Sequence, residues 1–348
     1  ALTKKLAAAG VNIPGAASLP DVSGAWLNDA MLDAAVADLL AARQHGHNSI
    51  IAVGEHQPAE VHALGHALNQ ALGNVGNTVT YTADPNQGRA SHADSIRTLV
   101  EAINAGSVDT LVILGGNPAY NAPADLKFAE AMKKVVSVHL SDYVDETSAV
   151  ANWHVPRAMY LETWTDARAW DGTISIGQPI VEPFYGGKTP AEVLAVAMGD
   201  EVNDSYGLTR RAMRPILGDA NFERAWRKQL HDGGVENSAW PTASVALQGG
   251  GWMARLGELA GNASSGVQVD EVIFTTDASM YDGRFANNGW LQELPDPITK
   301  ITWDNAAIMS PRTAEALGVS GHDMVTVAAN GQSPITIAAH VVPGHPDG

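Results

Sequence analysis

Thr110-Leu111-Val112-Ile113-Leu114 runs directly into Gly115-Gly116-Asn117-Pro118. A short, unbroken run of β-branched and leucine residues is the pattern of a strand buried in a parallel sheet. Open α/β sheets place ligands at the carboxyl ends of such strands. Two glycines there allow close approach of a backbone or a nucleotide, and Asn offers both an acceptor and donors. Pro118 ends the strand because it has no N–H for a ladder. The tetrapeptide reads either as a tight turn after a core strand or as a ligand loop.

The flanking sequence alternates in the same sense. Apolar spacing predicts helices over 26–43, 58–72, 91–105 and 122–134, with strands over 49–53, 78–82, 110–114 and 135–140. Pro58 suits a first helical turn, Gly73 a helix end and Ser91 an N-cap. This β-α-β order implies an α/β fold: a Rossmann-like layered parallel sheet with helices on both faces. Residues 153–182 are irregular and aromatic. Helices are expected at 190–198, 222–230 and 312–317, and strands at 244–247, 271–275, 299–303, 324–328 and 334–342. The last three strands suggest the start of a small β-barrel. The expected organisation is a helical lead-in over 1–48, an α/β domain over 49–296 and a truncated barrel domain over 297–348. The closing run Val341-Val342-Pro343-Gly344-His345 reads as the middle of a β-rich unit, so the chain is expected to be a piece of a longer protein.

Composition narrows the chemistry. Lys+Arg 21 against Asp+Glu 38 gives a net charge of −17 in 348 residues, which argues against nucleic acid or an anionic membrane as partner. A cationic protein partner, or solubility alone, fits better. Cysteine is absent, so these residues hold no disulfide, iron–sulfur cluster, thiolate zinc site or cysteine nucleophile. No apolar run approaches the roughly twenty residues of a membrane span, and Ala1 does not open a signal-peptide pattern.

Asp142, Glu146 and Thr147 follow the 135–140 strand. Asp142 can accept from a guanine or ribose edge, while Glu146 and Thr147 either cap the next turn or meet the same ligand. Asp166, Arg168 and Asp171 lie among tryptophans that either line a planar-ligand pocket or pack beneath a long loop. His62 and His66 share a helical face at i,i+4, a spacing open to metal ligation. Without a carboxylate between them, they read equally as surface or capping residues, with His56 beside them and His45 and His47 in a loop. Gly249-Gly250-Gly251 follows a predicted strand and either cradles phosphate or is an unspecific glycine run. No P-loop, nucleophile elbow or ordered Ser-His-Asp set is present.

Taken in order, these segments resemble the molybdopterin oxidoreductase (dimethyl sulfoxide reductase) superfamily. Leu72-Gly73-Asn74-Val75-Gly76, Gly116-Asn117-Pro118, Asp142 with Glu146-Thr147, then Pro156 and Glu162, follow its pattern. Leu114-Gly115-Gly116-Asn117-Pro118-Ala119-Tyr120, Tyr281-Asp282-Gly283-Arg284-Phe285-Ala286-Asn287-Asn288-Gly289-Trp290 and Trp303-Asp304-Asn305-Ala306 look like one branch, the large iron–sulfur subunit of alternative complex III. Two departures stand out. Ala151-Asn152-Trp153-His154-Val155-Pro156 replaces Ala-Asp-x-x-Leu-Pro, and Gly172-Thr173 replaces Gly-Arg.

The resemblance implies a pterin-nucleotide cleft at Gly116, Asn117, Pro118, Asp142, Glu146, Thr147 and Glu162, vestigial in this branch. It assigns no catalytic residue and no metal ligand to this segment. Molybdopterin is expected to be absent, with iron–sulfur clusters elsewhere in the full subunit. The implied partners are a cluster-bearing domain, a multihaem cytochrome c and membrane quinol-binding subunits, on the periplasmic face of the inner membrane. Two other functions are compatible with the residues. One is a fragment of a molybdenum bis-pterin enzyme of the polysulfide or tetrathionate reductase type, with the same residues holding the guanine-dinucleotide arm. The other is a nucleotide or divalent-metal binding protein that uses Gly249–Gly251 or His62 and His66.

Overall fold

A computed structural model of the chain describes residues 1–22, 27–46, 48–247, 251–262, 271–328 and 333–348. Helices α1 (Leu2–Ala8), α2 (Asp29–Gln44), α3 (Ala59–Leu72) and α4 (His92–Asn104) precede strand β1 (Thr110–Leu114). Then come α5 (Pro118–Asn121), α6 (Phe128–Met132), β2 (Val136–Ser141), α7 (Glu146–Val150) and β3 (Trp153–Pro156). Strands β4 (Thr165–Arg168) and β5 (Ile174–Gly177) lead to α8 (Pro190–Ala197), α9 (Ser205–Leu217), α10 (Phe222–Asp232), α11 (Gly251–Asn262) and α12 (Gly289–Glu293). The chain continues through β6 (Ala306–Met309), α13 (Pro311–Leu317), β7 (Met324–Val327) and β8 (Ile335–Val341).

Two compact units result, one from Ala1–Ala83, Pro241–Ile273 and Asn305–Gly348, the other from Asp84–Trp240 and Phe274–Asp304. The second holds the parallel sheet, in the order β1-β2-β3. The fold is α/β, with helices flanking that sheet. Its core forms because Leu111 and Ile113 face one side of β1 and meet Val100 and Ile103 of α4 and Phe128 and Met132 of α6. Ser91 caps α4 by accepting from the Asp94 N–H. A second core in the same unit gathers Ile174 and Ile176 of β5 with Met213, Phe222 and Trp226. In the first unit, Leu6, Val36, Leu68 and Leu72 form the core, and Arg255 of α11 pairs with Glu60 of α3 at 2.7 Å.

Several sequence expectations change. No ladder strand forms at 49–53, because the Ile51 N–H and C=O both bond the Asn69 carboxamide at 2.8 Å. A side-chain amide thus replaces a neighbouring strand. Residues 78–82 and 242–243 meet through an isolated bridge at Thr82 and Thr242, so 244–247 does not extend into a ladder, and the described residues near 271–275 are likewise unpaired. At 299–303 the backbone turns instead: Asp296 Oδ1 accepts from the Ile298 and Thr299 N–H groups, and Lys300 and Trp303 take positive φ. The helix expected over 122–134 is broken at its start, because Pro123 pushes Ala122 to an extended backbone and Lys127 is left-handed. Helix α9, capped by Asp204, was not among the expected elements.

The barrel is not closed among the described residues. Strands β6, β8 and β7 form a three-stranded sheet in which β6 pairs parallel and β7 antiparallel to β8. Trp26 and His47 lie outside the described residues.

Met132 is fully buried in the core against β1. Met132→Ala should cost about 2–5 kcal/mol in urea unfolding followed by tryptophan fluorescence. A loss under about 1 kcal/mol would remove this cluster as the sheet's core.

Candidate functional site

The carboxyl edge of the parallel sheet carries a polar network. Gly115 and Gly116 both take left-handed φ, which turns the chain sharply after β1. The Asn117 carboxamide does not cap α5. Its Oδ1 accepts from the Thr147 N–H at 3.1 Å and the Thr147 hydroxyl at 2.7 Å. Its Nδ2 donates to Glu146 Oε2 at 2.6 Å. Fully buried Thr147 also accepts from the Ala119 N–H at 2.9 Å. Gly116, Asn117, Pro118, Glu146 and Thr147 are therefore brought together. Asp145, rather than Glu146 or Thr147, caps α7 by accepting from the Ser148 N–H.

Asp142 is joined to Arg157 through two bonds of 2.8 and 2.6 Å, a bidentate pair. Asp142 holds the Arg157 guanidinium above its ordinary range of protonation. A Cβ at Gly115 would come within 2.8 Å of Arg157 Nη1, so this glycine makes room for the arginine. Glu162 is engaged elsewhere, accepting from the Met159 and Phe184 N–H groups.

Beneath this edge lies a group that the sequence reading passed over. In the register, Ile113 stands opposite His139 and His139 opposite His154. Fully buried His139 reaches the Gly116 carbonyl through Nε2 at 2.9 Å. That oxygen can only accept, so Nε2 carries a hydrogen. Ser148 Oγ lies 2.8 Å from Nδ1 of His139 and 2.9 Å from Nδ1 of His154. The Asp145 carboxylate is 3.5 Å from the same His139 Nδ1. A catalytic triad places its carboxylate on the opposite nitrogen from the nucleophile. Here Ser148 and Asp145 meet the same nitrogen of His139, so these three do not form one, and the contacts tie three segments together. The available signal was Ser137-x-His139-x-Ser141, polar residues at strand period within an apolar run. Asn152 accepts from the N–H and hydroxyl of Ser137.

The turn 277–288 docks on α5. Asn121 donates to Asp282 at 2.9 Å, and Arg284 brackets the same carboxylate at 2.8 and 2.9 Å. The Tyr120 hydroxyl lies 2.5 Å from where a Cβ on Gly283 would stand. Arg284 holds the Asp282 carboxyl well below the usual carboxylate range.

The remaining candidates are dispersed. His66 bonds the Tyr81 hydroxyl at 2.8 Å, and among the described residues no group of three or more His, Asp or Glu is arranged to hold a metal. Trp164 packs on Tyr206 and Trp226, Asp171 bonds Thr173, and Arg168 stacks on Trp240. Burial raises the protonation range of the Asp166 carboxyl. Gly249 and Gly250 lie outside the described residues, and Gly251 opens α11. No described helix is long and apolar enough to cross a membrane.

No known family model and no curated protein matches the chain. Among solved structures it is similar to acetylene hydratase from Pelobacter acetylenicus, at 15% identity and a TM-score of 0.45, over 72% of this chain and 38% of that one. The chain thus spans well under half of that protein's length, and likeness of this degree assigns no family.

Asn117→Ala and Thr147→Val should each destabilise by about 1–3 kcal/mol, because each strands a buried polar partner. In a double-mutant cycle the two losses should fall short of adding, and strict additivity would refute the network. Asp282 has a folded pKa below its unfolded one. Its contribution is present above the ordinary carboxylate range and is lost as pH falls through that range toward the folded value. Asp282→Asn should therefore be less stable than wild type at pH 7, with the gap closing below about pH 4. A gap independent of pH in thermal melts would contradict the ion pair.

Proposed function

We propose that this chain is a cofactor-free scaffold portion of an iron–sulfur subunit of the alternative complex III type, within a quinol-oxidising respiratory or photosynthetic assembly. One observation carries the reading: the polar side chains at the expected pterin-nucleotide positions are engaged within the chain. Asn117 is spent on Glu146 and Thr147, Asp142 on Arg157, and Glu162 on two backbone N–H groups. A guanine-dinucleotide arm would need those donors and acceptors free, and Arg157 fills the approach over Gly115. The residues present do not fit the group.

The branch-like run from Tyr281 to Trp290 supports the specific assignment. Its role here is structural, since Asp282 and Gly283 hold α5 through Asn121 and Tyr120. With no cysteine in the chain, thiolate-held clusters belong to another part of the subunit. The reading places the chain peripherally on the periplasmic face, beside a cluster domain, a multihaem cytochrome c and membrane quinol subunits.

Plasma mass spectrometry on the purified assembly should find iron but no stoichiometric molybdenum or tungsten, and oxidative extraction should release no fluorescent pterin. Molybdenum near one atom per chain would favour the bis-pterin enzyme instead.

A further inference from the structure

We infer that the loop pair 159–161 and 180–185 is a docking surface for a protein partner whose apolar face carries an arginine or lysine. Tyr160, Ile180, Phe184 and Tyr185 are 70%, 74%, 78% and 87% exposed, and Met159 and Val181 are exposed beside them. An aromatic side chain presents roughly 150–250 Å², so the three rings alone put on the order of 450 Å² in water. That rivals the largest apolar patch on a typical monomer.

The display is held in place. The Ile180 and Val181 N–H groups donate to the Leu161 carbonyl at 2.9 and 3.3 Å. Glu162 fastens both ends, taking the Met159 N–H at 2.9 Å and the Phe184 N–H at 3.3 Å. At its base Lys188 N–H donates to the Pro156 carbonyl and Ala158 N–H to the Lys188 carbonyl. A Cβ at Gly187 would meet the Ala158 nitrogen at 2.8 Å, so glycine permits this junction. The patch therefore continues from the end of β3.

Charge selects the occupant. The two nearby cations are answered within the chain, Arg157 by Asp142 and Lys188 by Glu192 at 3.7 Å. Glu182, exposed between Val181 and Phe184, has no ion pair among the described residues. A partner burying the rings must supply a cation to this carboxylate or leave it desolvated and unpaired. A second copy would bring another −17 chain, which approaches this acidic surface against net repulsion.

The inference rests on the scaffold reading for its premise that a partner exists. The test titrates the full chain with a labelled amphipathic helical peptide, Leu and Trp on one face with Arg at the border, and with the same peptide bearing Glu for Arg. The Arg peptide should bind wild type. Glu182→Lys and the exposed pair Phe184→Ser/Tyr185→Ser should each weaken it at least fivefold with unchanged melting temperature. Glu182→Lys should instead take the Glu peptide. Equal affinity across the variants would reduce binding to general attraction by an acidic chain and overturn the surface. A dimer abolished by Phe184→Ser/Tyr185→Ser in sedimentation, or ring-dependent binding to phosphatidylcholine vesicles, would assign the patch to another occupant. Molybdenum in the assembly would sink the scaffold reading and leave the peptide result standing, whereas lost peptide selectivity would do the reverse.

Discussion

The hydroxyl of fully buried Thr147 donates to Asn117 Oδ1 and accepts from the Ala119 N–H. A buried hydroxyl without partners costs several kcal/mol relative to water, so this atom constrains everything around it. It joins the turn after β1 to the first turn of α7, and with it the two crossovers of the parallel sheet. His139 repeats the logic one layer lower, tying the Gly116 carbonyl to Ser148. The short helices α5 and α7 have too few residues to be stable alone. They persist because these side chains complete their termini.

The same saturation bears on chemistry. Asn, Asp, Glu and Thr at strand ends are the groups that hold nucleotides in open α/β sheets, but a donor is available to a ligand only when the fold leaves it free. Here each is answered within the chain. Asn152 illustrates the exchange: its amide closes on Ser137 and secures the start of β3. Glu162 is a second case, a carboxylate that accepts two backbone N–H groups and braces a loop that carries exposed rings.

Electrostatics follows the same division. The Asp142–Arg157 and Asp282–Arg284 pairs are bidentate and local, which gives them geometric specificity beyond that of ordinary surface pairs. They fix segments rather than present charge. The net −17 is carried by carboxylates such as Glu182, which remain in solvent and can attract a cationic partner over about a Debye length.

Run length and period are local properties, so much of the α/β alternation was legible from residues alone. β1 matches its expected bounds, β2 is displaced by one residue, and α3 and α4 begin one residue inside theirs. The grouping of Gly116, Asn117, Glu146 and Thr147 at one sheet edge was legible too, because strand ends in a parallel sheet converge. Their partners were not. Asn117 and Thr147 are 30 positions apart, and Asn121 and Asp282 are 161 apart. No local pattern distinguishes a carboxamide that waits for a ligand from one that a distant hydroxyl already occupies. The apolar runs at 49–53 and 78–82 failed as strands for the same reason. Extension is a local preference, but a ladder exists only where a second backbone arrives, and at Ile51 the tertiary fold supplied the Asn69 side chain in its place.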